Sequence, residues 1–242
     1  MLGAGGSSPP PGYAGPAILV DSGDARLLLD CGEGCLERLR ALGYTPCEID
    51  AVYITHAHVD HWSGLFPLAV GRIEEGCRHL KIYMHGEVAE ELKTLLANLM
   101  PSKISVEVKP VTDGFRVESL DARLVPASHS KPTYAIGVYH DGSLKLLYTG
   151  DTRLEDNVVD ALRRLGKPEV LVVEATLPSG REDAARESGH LTVSQALELG
   201  ALLDAGLLIP VHLTPLSLRQ LRAYRRMPRG VIVPVDGFTI TV

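Results

Sequence analysis

The stretch THAHVDH (Thr55–His61) follows directly on the apolar run AVYIT and sets three histidines and an aspartate within six positions. Packing a core does not call for imidazole at that density. Residues two apart on an extended chain project to the same side, so His56 and His58 can chelate one cation together. Asp60 and His61 cannot easily reach the same ion, and would present an oxygen and an imidazole to a neighbouring one. Two ions roughly 3.5–4 Å apart is the spacing of hydrolytic two-metal sites. A chain carrying this segment must fold so that further ligands arrive from elsewhere.

The sequence supplies them where apolar runs end. His129 lies in PASHS after ARLV, Asp151 in YTGD after LKLL, and His212 in PVHLT after LLI. Each alone has a plain structural explanation. All three together with the histidine-rich segment look like groups gathered on one rim of a sheet, because unpaired buried polar groups are too costly to accumulate without purpose. His79, His85 and His140 receive a structural reading.

The rest of the pattern sets the architecture. Short apolar runs (AVYIT, LKIYM, ISVEV, ARLVP, YAIGVY, LKLLYTG, EVLVVEA, LLIPVHL, GVIVPV and FTITV) read as strands. Helical patterns fall near residues 35–42, 86–98, 155–165, 192–203 and 216–226, and Thr192 with Gln195 gives a capping-box start to the fourth. Hairpin-like strands dominate 104–148, which argues against a purely alternating fold. The expectation is an α/β protein of mixed sheets with helices outside them, in one domain spanning 1–242. With 45% hydrophobic and 22% charged residues the composition is that of an ordinary globular chain. No apolar run approaches the roughly 20 residues of a membrane span. The start MLGAGGSSPPPGYAG lacks the basic and apolar regions of a signal peptide, so a cytoplasmic protein is expected. The same Gly/Pro-rich stretch lacks the spacing of a phosphate-binding P-loop. Four cysteines, with Cys31 and Cys35 four apart, are read as free thiols. Two Asn and two Gln, with Arg preferred over Lys, are compatible with a hot-living source.

The His-x-His-x-Asp-His motif and the later ligands resemble the metallo-β-lactamase superfamily over nearly the whole chain. The resemblance implies a four-layer αββα sandwich of two mixed sheets flanked by helices. It also implies two divalent ions, most often zinc, with manganese and iron also occurring. His56, His58 and His129 would hold one ion, Asp60, His61 and His212 the other, and Asp151 would bridge both. LLLDCGEGCLERL, LYTGDTR, VEATL and GHLT further resemble ribonuclease Z, the tRNA 3′-end endonuclease. In that family a glutamate orients a histidine that donates a proton to the leaving oxygen or steadies the charge on the phosphate, here Glu174 and His190, while Asp60 would accept the proton of the attacking water. Capping of the adjacent helix is the plainer reading of His190.

The resemblance implies a metal-dependent phosphodiesterase acting on RNA or a smaller phosphodiester, with no membrane partner, as a homodimer. Only 21 residues separate His129 from Asp151, where arm-bearing ribonuclease Z enzymes insert their tRNA-gripping arm. The family's usual Gly in the motif is Val59, and His-Phe-Ser is His212-Leu213-Thr214. A small-molecule esterase, lactonase or sulfatase of the same superfamily is therefore the competing expectation, and a non-catalytic RNA-binding relative a third. Net charge is −6, yet no acid lies between Asp204 and Asp236, a window holding Arg219, Arg222, Arg225, Arg226 and Arg229. Such a run could bind phosphates. The preferred reading is a solvated helix face with Leu218, Leu221 and Tyr224 turned inward.

Overall fold

Alternation along the strands decides the layering. In the computed structural model, which describes Met1–Val242, Leu27 and Leu29 point to one side of their strand and Leu28 to the other, all fully buried. Ala51 and Tyr53 likewise oppose Val52 and Ile54, and Val170 and Val172 oppose Leu171 and Val173. Strands buried on both faces need cover on both faces. Two sheets therefore stack on each other and carry helices on their outer sides.

The first sheet runs in the order β1 (Ile18–Asp21), β2 (Arg26–Leu29), β3 (Ala51–Ile54), β4 (His79–His85), β5 (Ser105–Val111). Its β1–β2 pair is antiparallel and the others are parallel. The second holds β6 (Gly114–Val117), β7 (Leu120–Pro126), β8 (Tyr134–His140), β9 (Ser143–Tyr148), β10 (Val170–Glu174) and β11 (Leu207–Val211), which are adjacent in chain order. Here β9–β10–β11 are parallel and the remainder antiparallel. Helices α1 (Cys35–Ala41), α2 (Leu65–Glu74) and α3 (Gly86–Leu99) cover the first sheet through Leu39, Leu65, Leu68, Leu92 and Leu96. On the second sheet α4 (Asp156–Arg163), α6 (Val193–Leu202) and α7 (Pro215–Ala223) pack Val158, Leu162, Leu199, Leu218 and Leu221; α5 (Glu182–Ser188) lies between β10 and α6 in the chain. Between the sheets, Phe115 stacks on Tyr83 with ring centroids 4.0 Å apart. The expected αββα sandwich is the observed fold, and no helix is long and apolar enough to cross a membrane.

Three local expectations differ. GVIVPV and FTITV form no strands; Val231 makes one isolated bridge to Leu208, and Pro234, which has no N–H to give, follows soon after. Phe238 and Ile240 pack against the core between the sheets without pairing. The free-thiol reading holds for buried Cys31 and Cys35, but Cys47 and Cys77 form a disulfide across 30 residues. Their Cα atoms lie 5.8 Å apart because the turn Pro46–Glu48 packs where α2 ends, a proximity that linear spacing does not reveal. The closed loop contains β3 and the whole histidine-rich segment. A loop of that length is worth about 3 kcal/mol through the unfolded state. Cys77→Ser should lower the thermal midpoint by roughly 5–10 °C, and calorimetry under reducing conditions should bring the parent chain to the same value.

Candidate metal centre

The chemistry-bearing residues sit just past strand ends on one rim. His56 and His58 leave the end of β3, and Val59–His61 forms a single 3₁₀ turn. His129 follows β7, Asp151 follows β9, Glu174 ends β10 and His212 follows β11. Asp30, directly after β2, and His212 are buried and hold φ of 55°, a left-handed backbone that non-glycine residues adopt only under constraint. The Gly-rich opening loop packs directly on this rim. A Cβ at Gly6 would lie 2.7 Å from His212 Nδ1, and one at Gly189 (φ 85°) 2.7 Å from His129 Nδ1.

Partners fix which ring nitrogen stays free. The Thr55 hydroxyl donates to Asp30, so His56 Nδ1–H donates to Thr55 Oγ1 at 3.0 Å. His61 Nδ1–H donates to Asp30 Oδ2 at 2.7 Å, and His129 Nδ1–H to the Gly189 carbonyl at 2.7 Å. Thr176 Oγ1 donates to Glu174, so His212 Nδ1–H donates to Thr176 at 2.8 Å. Four imidazoles thereby turn bare Nε2 atoms inward, an arrangement that metal-ligating histidines use to set tautomer and orientation.

Those atoms converge. His58 Nδ1 lies 3.1 Å from His56 Nε2 and 3.0 Å from His129 Nε2. His212 Nε2 lies 3.1 Å from Asp60 Oδ2, which is 3.7 Å from His61 Nε2. One oxygen, Asp151 Oδ2, is 3.5 Å from His56, His61 and His212 and 3.7 Å from His129. All seven expected ligands are thus together: His56, His58, His129 and Asp151 form one group, Asp60, His61 and His212 a second, and Asp151 and His212 form a third with His190. His61 Nε2 and Asp151 Oδ1 are buried with no hydrogen-bond partner. Orphaned acceptors and lone pairs facing one another at 3 Å make an environment that only a cation or protons relieve. A tetrahedral ion about 2.0–2.1 Å from its ligands spaces them by roughly 3.3 Å, so the residues present fit a metal.

The charges agree. Burial, then the neighbouring His61, pushes the His56 pKa well down. Burial opposes a charge on His61, yet Asp151 and Asp30 hold its pKa well above the ordinary value. Burial also opposes ionisation of Asp151, but His212 and His61 keep its carboxyl well below the usual carboxylate range. A cation entering the cluster takes the place of such protons.

Glu174 and His190 form a second layer. His190 Nδ1 lies 3.0 Å from Glu174 Oε1 and 3.8 Å from Asp151 Oδ2. Burial works against its protonation, but the Glu174 carboxylate outweighs it and raises the His190 pKa to about 9. Thr192 caps α6 itself, which leaves His190 free of that task. Arg153 Nε donates to the Arg186 carbonyl at 2.7 Å, tying the end of α5 to the Asp151 loop. His79, His85 and His140 lie outside the cluster; His85 caps α3 and stacks on Tyr134.

Two contributors escaped the sequence reading. Asp30 accepts from Thr55 N and Oγ1, His61 Nδ1 and Tyr148 OH, and Thr176 links Glu174 to His212. Asp30 ends the apolar run LLL, the same signal that singled out Asp151. Asp30→Asn keeps one accepting oxygen but turns the other into an N–H donor that faces either the Thr55 N–H or the His61 Nδ1–H, and it removes the charge that holds His61. It should weaken zinc binding by roughly 10–100-fold, measured by chelator competition with circular dichroism checking the fold.

Comparison with known proteins places this geometry. A model of the β-lactamase superfamily domain matches residues 25–213. Ribonuclease Z of Pyrobaculum neutrophilum is 31% identical over 100% of this chain and 97% of its own length. The metallo-β-lactamase fold protein YhfI of Bacillus subtilis superposes with a TM-score of 0.81 at 23% identity, covering 98% of this chain and 95% of that one. Human tRNase Z, short form (ELAC1), gives 0.79 at 21% identity, covering 99% and 97%. The two structural likenesses speak for the fold alone. With the superfamily domain spanning most of the sequence and a full-length relative above 30% identity, the chain belongs to the β-lactamase superfamily and, within it, to the ribonuclease Z family of metal-dependent hydrolases.

Proposed function

We propose that the chain is a dinuclear phosphodiesterase that cuts RNA, with the 3′ trailer of a tRNA precursor as its substrate. The observation that carries this reading is the Glu174–His190 pair, 3.0 Å apart beside the Asp151 carboxylate. Acyl and thioester hydrolysis on such a cluster does not call for a second, carboxylate-held imidazole at the rim, whereas expulsion of a ribose oxygen does. The names of the relatives support RNA as the substrate class.

In this reading His56, His58 and His129 would hold one ion and Asp60, His61 and His212 a second, with Asp151 available to both. Zinc suits a set of five imidazoles and two carboxylates. Divalent ions bound there supply Lewis acidity, which polarises the phosphodiester and makes water acidic near neutral pH. Asp60 is less buried than Asp151 and accepts the proton of the attacking water. Glu174 holds Nδ1 of His190, so the other ring nitrogen is the one that gives a proton to the departing oxygen. Thr152 N and Thr176 Oγ1 fix Glu174 at 2.9 and 2.6 Å, which keeps the imidazole plane in place.

A second reading, hydrolysis of a small ester, lactone or sulfate ester, draws on the segment between His129 and Asp151. It holds only the short link Ser130–Thr133 and the β8–β9 hairpin, closed by Asp141 and Gly142 at φ 50° and 76°.

His190→Ala should keep its metal content by plasma mass spectrometry and lose about 10²–10⁴-fold in kcat/KM on a 3′-trailed tRNA precursor. Bis(p-nitrophenyl) phosphate, whose leaving group needs no proton, should be affected far less. Full RNA cleavage by the variant would remove the role given to His190, and ester or lactone turnover without RNA cleavage by the parent chain would favour the second reading. Exhaustive chelation should abolish both activities, and added zinc should restore them.

A further inference from the structure

The acid-free stretch between Asp204 and Asp236 takes on shape in the fold. Helix α7 buries Ser217, Leu218 and Leu221, so the inward-facing apolar pattern is as expected. Arg219, Arg222, Arg225, Arg226 and Arg229 are all exposed. Cations nearby are paired, Arg163 with Asp160 and Lys167 with Asp204, but none of these five meets a carboxylate. On a chain of net charge −6, five uncompensated guanidinium groups in eleven consecutive residues repel one another and call for an anionic counterpart.

The face is also fixed relative to the metal cluster. Its helix starts three residues past His212, and the capping Thr214 donates to the Thr176 carbonyl at 2.9 Å. Gln220 accepts from Ser179 N at 2.8 Å, and Arg222 donates to Tyr13 OH at 3.3 Å. Arg219 and Arg222 lie on the helix; Arg225, Arg226 and Arg229 follow its end, where Gly230 and Val231 return to Leu208 at the start of β11, so the arginines run from the metal rim towards the opposite end of that strand.

Resting on the RNA reading above, we infer that this arginine face is the surface that grips the substrate's sugar–phosphate strand, in place of an inserted arm. Planar guanidinium groups bind phosphate oxygens through two parallel N–H bonds and read charge rather than base identity. The surface therefore holds RNA without regard to sequence, while the cluster selects the bond. The occupant is a nucleic-acid strand rather than an acidic protein or an anionic membrane, because the arginines begin on the helix that follows His212 and a strand cut at the proposed centre carries a regular series of phosphates to meet charges set at increasing distance from it.

The test combines Arg219→Gln, Arg225→Gln and Arg226→Gln, leaving Arg222 to its tyrosine contact. Binding of a fluorescent 3′-trailed tRNA precursor is measured by anisotropy across a salt series, with the active site disabled by His190→Ala in both proteins. The triple change should weaken binding on the order of a hundred-fold at 0.1 M salt and lower the log–log salt slope by about 3. In the cleavage-competent background the loss should appear in KM for RNA. Hydrolysis of bis(p-nitrophenyl) phosphate reports whether the cluster is intact, and lysine at the three positions should recover most of the slope. Equal affinity and slope in a triple variant whose parent cleaves RNA overturns the inference alone. A parent chain that neither binds nor cleaves RNA refutes the substrate reading as well, and anionic vesicles or an acidic peptide competing RNA off the face would reassign its occupant.

Discussion

Mutual repulsion around one carboxylate oxygen governs this molecule. Asp151 Oδ2 is 3.5–3.8 Å from ring nitrogens of His56, His61, His129, His190 and His212, and four of these rings are tethered so that Nε2 faces inward. Lone pairs do not gather in this way of their own accord. The chain holds them there through hydrogen bonds to Asp30, Thr55 and Thr176, which follow the ends of β2, β3 and β10, and to the carbonyl of Gly189, which ends α5. The ligands are positioned by what lies behind them, and the unsatisfied charge in front of them is what a cation answers.

The sandwich makes such a concentration tolerable. Strands buried on both faces cannot shift register without moving every side chain to the wrong layer, so their ends are rigid places to hang opposing groups. The Cys47–Cys77 bridge closes the loop that carries the histidine-rich segment, adding a covalent limit to its spread.

Most of the site was legible because its residues share one signature, a lone polar group ending an apolar run. His129, Asp151 and His212 were found that way, and Asp30 carries the same mark after Leu27–Leu29. Thr176 carries none, since its role depends on β10 and β11 lying side by side. Helix α2 was missed because Pro67 and Gly71 interrupt its pattern; Pro67 sits in the first turn, where its missing N–H has no helical partner, and Gly71 lies close to Leu36 and Pro46. Helix α5 buries only Ala185, so it has no apolar stripe to read. The strand-like tail failed for the opposite reason: its apolar residues do pack, but in an irregular strap whose Asp236 accepts from Ala4 N and Ala14 N. Period alone cannot separate packing from pairing.

The link from His129 into β8, Ser130–Thr133, has consequences beyond substrate size. Four residues reach at most about 14 Å when stretched, and Thr133 is already tied back by Ala127 N, which donates to its carbonyl. That shore of the cleft is a fixed ledge, too short to swing across an occupant. Whatever enters on that side meets a rim already set in place, with no segment long enough to fold over it.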